Sequence, residues 1–166
     1  MMSKSAINII STAEGPEAIL SNFAHTPFNL DGVLCSSVEG FIQGLKEATP
    51  DKQRRICLRH GFEAKRASSR KRNKKVRESG VVWWQGKAVS FKSEEYYKLI
   101  ERSIRAKLDQ NETARQALLD TADAELVHYT SKLESPNTSF PSERFVSILM
   151  KIRTELLIGQ SEESGR

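Results

Sequence analysis

The sequence lacks any long apolar run. Its longest, Val81 to Trp84, is four residues, against the roughly 20 a membrane-spanning helix needs, so no bilayer crossing and no membrane partner is expected. Met1-Met2-Ser3-Lys4 leads into a brief apolar stretch, Ala6 to Ile10, which reads as too short for a secretory leader. Cysteine is scarce too. Cys35 and Cys57 are read as isolated thiols, with no CxxC and no histidine at ligand spacing, which points to a reducing cytoplasm and no structural zinc. The P-loop, GxGxxG, HExxH and GxSxG patterns are all missing, which removes the nucleotide-motor, dinucleotide, zinc-protease and serine-hydrolase readings. His25, His60 and His128 are far apart in unlike contexts and read as surface or satisfied core histidines. The acidic and histidine side chains do not cluster at ligand spacing, so no metal and no cofactor is expected.

What is present is 166 residues, a length that suits one globular domain. The charge is concentrated. Residues 65–77 read KRASSRKRNKKVR, with eight cations and no acid; without those eight, 18 basic residues face 21 acidic ones. One segment makes a mildly acidic protein basic. Such a block is either a solvated surface segment or a phosphate-binding one.

The pattern of elements is that of a helix-rich α+β domain with a few short antiparallel strands. A strand is expected near Ala6 to Ile10, and a hairpin over Pro27 to Cys35 around Asp31-Gly32. Ser37 reads as the N-cap of a helix to about Ala48, with Val38, Phe41, Ile42 and Leu45 toward the core. Thr49-Pro50-Asp51 starts a second helix that ends near His60-Gly61. Val81 to Trp84 is a short extended piece closed by Gln85-Gly86. Ser93 opens what reads as the longest helix, lined by Tyr97, Ile100, Ile104 and Leu108. Asn111 caps a short helix through Leu119, and Glu125 to Tyr129 is a strand or irregular. Ser142-Glu143 start a terminal helix with Phe145, Ile148, Leu149, Ile152 and Leu156 on one face. The expected layout is one domain over residues 1–158 and a frayed polar tail over 159–166.

Two features carry candidate chemistry. Glu39 sits in the first turn of the Ser37 helix, and Gln43 and Lys46 follow on the same face, opposite Phe41 and Leu45. A first-turn glutamate also gains a little from the helix dipole, which needs no function at all. Of the adjacent Trp83 and Trp84, one points inward on an extended segment and the other outward, where an indole either stacks on a base or is partly buried.

Taken in order, Ser21-Asn22-Phe23, Pro27-Phe28, Asp31-Gly32, Ser37-Val38-Glu39-Gly40-Phe41-Ile42-Gln43 with Lys46, Glu63-Ala64-Lys65, Trp84, Ile104-Arg105-Ala106-Lys107 and Leu118-Leu119-Asp120-Thr121 resemble the YbiA-like or NADAR family, named for its association with NAD and ADP-ribose. The resemblance covers roughly residues 7–157. It implies an N-glycosidase that cleaves a C–N bond at a ribose anomeric carbon, either in riboflavin-pathway intermediates or in ADP-ribose attached to guanine. On this resemblance Glu39 is the essential glutamate and Trp84, or else Trp83, the active-site tryptophan. Asn22 and Phe23 help form the ligand pocket, with Gln43, Lys46, Lys65 and Arg66 beside them. Many members carry an Asp-x-x-Trp-Gly element after the Leu-Leu-x-Thr segment. Here His128 to Arg144 has neither Trp nor Asp. Glu134 or Asp123 then stands in as second acid, or Thr138 and Ser139 contact a phosphate or ribose.

The chemistry fits these residue types. Breaking a ribosyl C–N bond builds positive charge on the sugar, which a carboxylate stabilises or answers by activating water. A nearby cation such as Lys46 favours the ionised carboxylate. Substrates of this class carry phosphates, which Arg and Lys hold. Eight cations exceed what one pyrophosphate needs, so residues 65–77 are expected to meet a nucleic-acid backbone as well, and single-stranded DNA would present guanine without base flipping. ADP-ribosylated guanine, as nucleotide or in DNA, is therefore the favoured substrate. The riboflavin-type metabolite and a non-catalytic ADP-ribose or nucleic-acid binder are the alternatives.

Overall fold

The computed structural model describes residues 4–166; Met1–Ser3, which precede the first expected strand, lie outside them. Among the described residues the fold is α+β and helix-rich, with seven α-helices, a 3-10 helix and six short strands arranged in three pairs. No helix among them is long and apolar enough to cross a membrane. The chain packs as two compact units: one joins the chain up to Ser21 to Glu112–Arg166, and the other is Asn22–Asn111.

In the first unit, β1 (Ala6–Asn8) pairs with β6 (Glu125–Val127), and the pairing is parallel, with Ile7 opposite Leu126. Antiparallel pairing was expected throughout. It is enforced only where a tight turn joins two strands, and these two come from opposite ends of the chain. Helix α6 (Glu112–Asp120) packs on the 3-10 turn Pro16–Leu20, and α7 (Ser142–Ser164) packs on β6 and α6. Phe145, Leu149 and Ile152 are buried with Ile9, Leu118 and Leu126. This helix, not the one after Ser93, is the longest. It also continues through the expected frayed tail to Ser164, where the residues after Gly159 are exposed. Buried Arg153 is tied down here. Its Nη1 donates to Thr121 Oγ1 and to the Ala124 carbonyl, both at 2.9 Å.

The second unit is built on two hairpins made alike. Strands β2 (Phe28–Leu30) and β3 (Val33–Cys35) turn at Asp31-Gly32, and β4 (Val81–Trp84) and β5 (Lys87–Ser90) turn at Gln85-Gly86. Both turns hold two successive residues at positive φ, 52° and 82° in the first and 50° and 81° in the second. That is the geometry whose twist matches a two-residue hairpin. Strand β5 had no clear alternation to announce it.

Helix α1 (Val38–Gly44) is capped by Ser37, whose Oγ accepts the Gly40 N–H at 2.9 Å and donates to the Arg59 carbonyl at 2.8 Å. It stops at Gly44, short of Ala48. Its glycines allow α2 (Pro50–Cys57) close: a Cβ on Gly40 would sit 2.4 Å from the Arg59 carbonyl oxygen, and one on Gly44 would meet Cys57 Sγ at 2.6 Å. This approach also puts Cys57 beside Cys35, so the two thiols are neighbours and not isolated. Both are buried and free, and the hydrogen bond with Cys57 together with burial pushes the Cys35 thiol up. Helix α5 (Glu94–Gln110), capped by Ser93, packs on α1 and β2.

The basic segment forms the end of α3 (Gly61–Arg66) and most of α4 (Arg70–Ser79). Like charges along a helix oppose it, so the ends are fixed. Ser69 Oγ accepts the Arg72 N–H at 3.0 Å, and Gly80 closes the helix in the left-handed conformation at φ 66°. Val76 is its one buried residue.

Candidate active site

Helix α1 carries the candidate catalytic group. The half-buried Glu39 has its backbone N–H bonded to the Asn22 carbonyl at 2.9 Å, which ties the Asn22-Phe23 segment to the start of the helix. One turn on, Gln43 Nε2 donates to the Glu39 carboxylate at 2.9 Å. A carboxylate only accepts, so this bond fixes which way the Gln43 amide faces. Gln43 is just 6% exposed, and its Oε1 has no partner; the buried Oδ1 of Asn22 has none either. Orphaned acceptors of this kind cost roughly 1–3 kcal/mol each and rarely persist unless something else meets them.

Lys46 completes the row. The expected face of α1 opposite Phe41 is not in solvent: Lys46 is 7% exposed, and its Nζ donates to Asn73 Oδ1 at 3.0 Å. Burial pulls its ammonium down to about 8; the charge of Glu39 opposes that shift, and Arg72 and Arg77 add to it. Asn73 in turn donates to Ser68 Oγ at 2.8 Å. Lys46 is thus clamped by the one neutral residue in Arg70-Lys71-Arg72-Asn73-Lys74-Lys75, an interruption that marks Asn73 in hindsight. The other residue not anticipated is Tyr96. It is buried on α5, and burial, with Tyr97 and the nearby charge of Glu39, holds its phenol up and protonated.

The tryptophans divide as alternation along a strand expects, one inward and one more open. Trp84 is 7% exposed, its Nε1–H donates to Asp31 Oδ2 at 2.8 Å, and its ring meets Phe41 edge-on at 5.0 Å. Its polar atom is used by the fold, and the ring serves the core behind α1. Asp31 is held below the usual carboxylate range by Arg102 and then Trp84, which fixes the β2–β3 turn in place. Trp83 is the more open indole, with Lys75 Nζ 5.2 Å over its ring.

Phe23 follows Asn22 and is half-buried. Lys65 Nζ lies 5.7 Å from its centroid, and Phe62 meets it edge-on at 5.6 Å. The Gly61 N–H donates to the Phe23 carbonyl at 2.9 Å. His25 and His60, read as unrelated, stack 4.3 Å apart at 14°. Arg66 is exposed on α3.

The structure therefore brings Glu39, Gln43, Lys46, Asn22, Phe23 and Lys65 together within Asn22–Asn111. Arg66, Trp83 and Trp84 lie in the same unit, and the other four candidates belong to the first unit. There Glu134 accepts from the Ser142 N–H at 2.8 Å and the Ser142 hydroxyl at 2.5 Å, at the start of α7. Asp123 supports the charge of Arg153 against burial. The Thr138 N–H closes a turn onto the Ser135 carbonyl, and Ser139 lies beside it on the same loop. Among the described residues no three His, Cys, Asp or Glu side chains are gathered to hold a metal ion.

The fold is similar to the NMR structure of the Escherichia coli protein YbiA, with a TM-score of 0.68 and 23% identity, covering 98% of this chain and 90% of that one. An uncharacterized 17.1 kDa protein of Enterobacteria phage T4, from the Gp30-rIII intergenic region, is 30% identical over 153 residues, 92% of this chain and 99% of the phage protein. The model of the bacteriophage protein GP30.3 family matches residues 15–154, and the chain belongs to that family.

Proposed function

We propose that this protein is an N-glycosidase of the NADAR type that hydrolyses a ribosyl C–N bond, releasing ADP-ribose from guanine. The observation that carries this reading is the row on α1. A glutamate is oriented by Gln43 and faced by a buried lysine, and two acceptors without partners flank it. Ribose hydroxyls are donors, and they would satisfy Asn22 Oδ1 and Gln43 Oε1. Glu39 would then lie toward the anomeric carbon, stabilising the charge that grows on the ring and orienting water. The C–N electron pair leaves with the base nitrogen, which takes a proton, while water adds hydroxide to C1′. Lys46 and Lys65 would hold the pyrophosphate.

Tyr96 and Trp84 support this arrangement without taking part in it. The first is a protonated phenol behind Glu39, and the second braces Phe41 through its bond to Asp31. Trp83, the more open indole, is the better candidate to meet a base.

The test is incubation with ADP-ribosylated guanine in DNA and, separately, with a ribosylaminopyrimidine phosphate, following released ADP-ribose or ribose phosphate by mass spectrometry. Release from the first substrate, abolished in Glu39→Gln, supports the reading. Release from the second alone moves the substrate to the metabolite class. One observation favours a binding protein: Glu134, a candidate second acid, is engaged in capping α7. In that case both substrates bind, neither is cleaved, and Glu39→Gln changes little.

A further inference from the structure

Phe62 is 64% exposed. A phenyl ring left in water forgoes roughly 25 cal/mol for each Å² it could have buried, and this one leans only on the edge of Phe23 among the aromatic rings of the described residues. Phe23 itself adjoins Asn22, whose carbonyl holds the Glu39 N–H. An aromatic ledge thus begins one residue along the chain from Asn22. It is braced from below, because Gly61, at φ 59°, turns the chain so that its N–H reaches the Phe23 carbonyl.

Cations lead away from the same ledge. Lys65 lies over Phe23, Arg66 follows, and Arg70, Lys71, Lys74 and Lys75 are spread along α4. The inward cation, Arg72, is taken up by the Ala67 carbonyl and lies 3.9 Å from Glu47. The row ends where Lys75 covers Trp83, a second partly open aromatic ring. Glu63 is the acid on α3, and Lys74 is paired with Glu78 at 3.7 Å, so Lys65, Arg66, Arg70, Lys71 and Lys75 carry the positive surface. Open rings at either end of such a surface suit a partner that offers flat π-faces and regularly spaced anions. An acidic protein offers the anions without the faces.

We infer that Phe62, on its brace of Phe23, is a stacking shelf for an unpaired nucleobase, and that the outward cations of α3 and α4 track the backbone of the same single strand. The inference deepens the proposed function and rests on it for the strand's biological meaning: the nucleotide beside the target would be gripped at the mouth of the site. The binding itself asks nothing of Glu39, so the two can fail separately.

The experiment is fluorescence anisotropy with an unmodified oligothymidylate about a dozen nucleotides long, titrated over a range of salt. The full-length chain should bind with a steep salt dependence. Phe62→Ala should weaken binding ~10-fold at every salt, since stacking on one ring contributes roughly that factor. Arg70→Gln combined with Lys71→Gln should instead lower the slope of log affinity against log salt by about 1.4, roughly 0.7 for each phosphate no longer neutralised. Glu39→Gln should bind the strand as tightly as wild type. Unchanged binding by Phe62→Ala, with its melting temperature also unchanged, overturns the shelf. Equal displacement of the strand by polyglutamate of matched charge overturns the nucleic-acid assignment. Tighter binding of a duplex of the same length overturns the choice of an unpaired partner.

Discussion

Gln43 and Gln53 are both buried glutamines of the same unit, 6% and 2% exposed, and they are treated in opposite ways. Gln53 is saturated. Its Nε2 donates to the carbonyls of Gly44 at 2.9 Å, Glu47 at 3.3 Å and Trp83 at 2.7 Å, and its Oε1 accepts the Gln85 N–H at 2.9 Å. One side chain thereby ties the end of α1 to the β4–β5 hairpin. Gln43 gives its amide to Glu39 and leaves its oxygen bare. Where this fold uses buried polarity for architecture, as at Gln53, the side chain's polar atoms are all engaged. Where it leaves an acceptor open, beside a carboxylate and a buried ammonium, the missing partner is best sought in a ligand.

The sharpest break of that comparison is at Glu39. If Gln43 exists to orient this carboxylate, Glu39→Gln should reduce kcat on the cleaved substrate by ~10³-fold or more, within the range expected for a catalytic carboxylate. Its melting temperature should stay close to that of wild type. Loss of binding in equal measure with turnover would make Glu39 a binding group only.

Next is Gln53→Leu, which strands the Glu47 and Trp83 carbonyls and the Gln85 N–H, while the Gly44 carbonyl keeps the Glu47 N–H. At roughly 1 kcal/mol for each buried group deprived of its partner, stability should fall by about 2–3 kcal/mol. A denaturant titration measures it directly. Activity per folded molecule should stay near wild type, because Gln53 bonds only backbone groups, including the Trp83 carbonyl, and no side chain proposed to touch the ligand. A variant as stable as wild type would remove the contrast between the two glutamines.

Much of this was written locally in the sequence. Ser37 as N-cap, Asp31-Gly32 as a hairpin turn and the Glu39–Gln43 pair follow from spacing, and each is found in place, whereas Lys46 comes after α1 has ended at Gly44 and is brought in by the turn that follows. What escaped is long-range or hidden by composition. Gln53 looks like any surface glutamine in Asp51-Lys52-Gln53-Arg54-Arg55; its role appears only when Trp83 arrives from 30 positions away. The cysteines look isolated until the glycines of α1 allow α2 close. The basic run has an apolar anchor only at Val76, so its helix is legible from its two caps and not from any periodicity. Which indole faces inward cannot be read from an adjacent pair, since alternation permits either phase; the bond from Trp84 to Asp31 decides it.

A smaller effect sharpens the comparison from the other side. Gln43→Met keeps the volume and removes the orphan oxygen, so stability should hold or rise by up to about 1 kcal/mol despite the missing bond to Glu39. Affinity for ADP-ribose, measured by calorimetry, should fall ~10-fold if a ribose hydroxyl is the absent donor. A destabilised variant that binds ADP-ribose normally would show that the amide is structural, as in Gln53.

The smallest effect is a pH dependence that separates two buried lysines. Burial lowers Lys46 from 10.5 to about 8 and Lys107 from 10.5 to about 7. Between those values and 10.5 the unfolded chain binds the protons and the folded chain does not, so stability should rise with pH from about 7 upward. Lys107→Met and Lys46→Met should each flatten part of that rise in melting temperature. The charge of Glu39 acts on Lys46, whereas burial sets the shift at Lys107, so a ligand at the candidate site should matter at Lys46. Saturating ADP-ribose, whose phosphates favour the ammonium, should flatten the Lys46 share in wild type and in Lys107→Met, and do nothing in Lys46→Met. If ADP-ribose changed the slope equally in all three proteins, Lys46 would not be part of a phosphate-holding site, and its contact with Asn73 would be architecture alone.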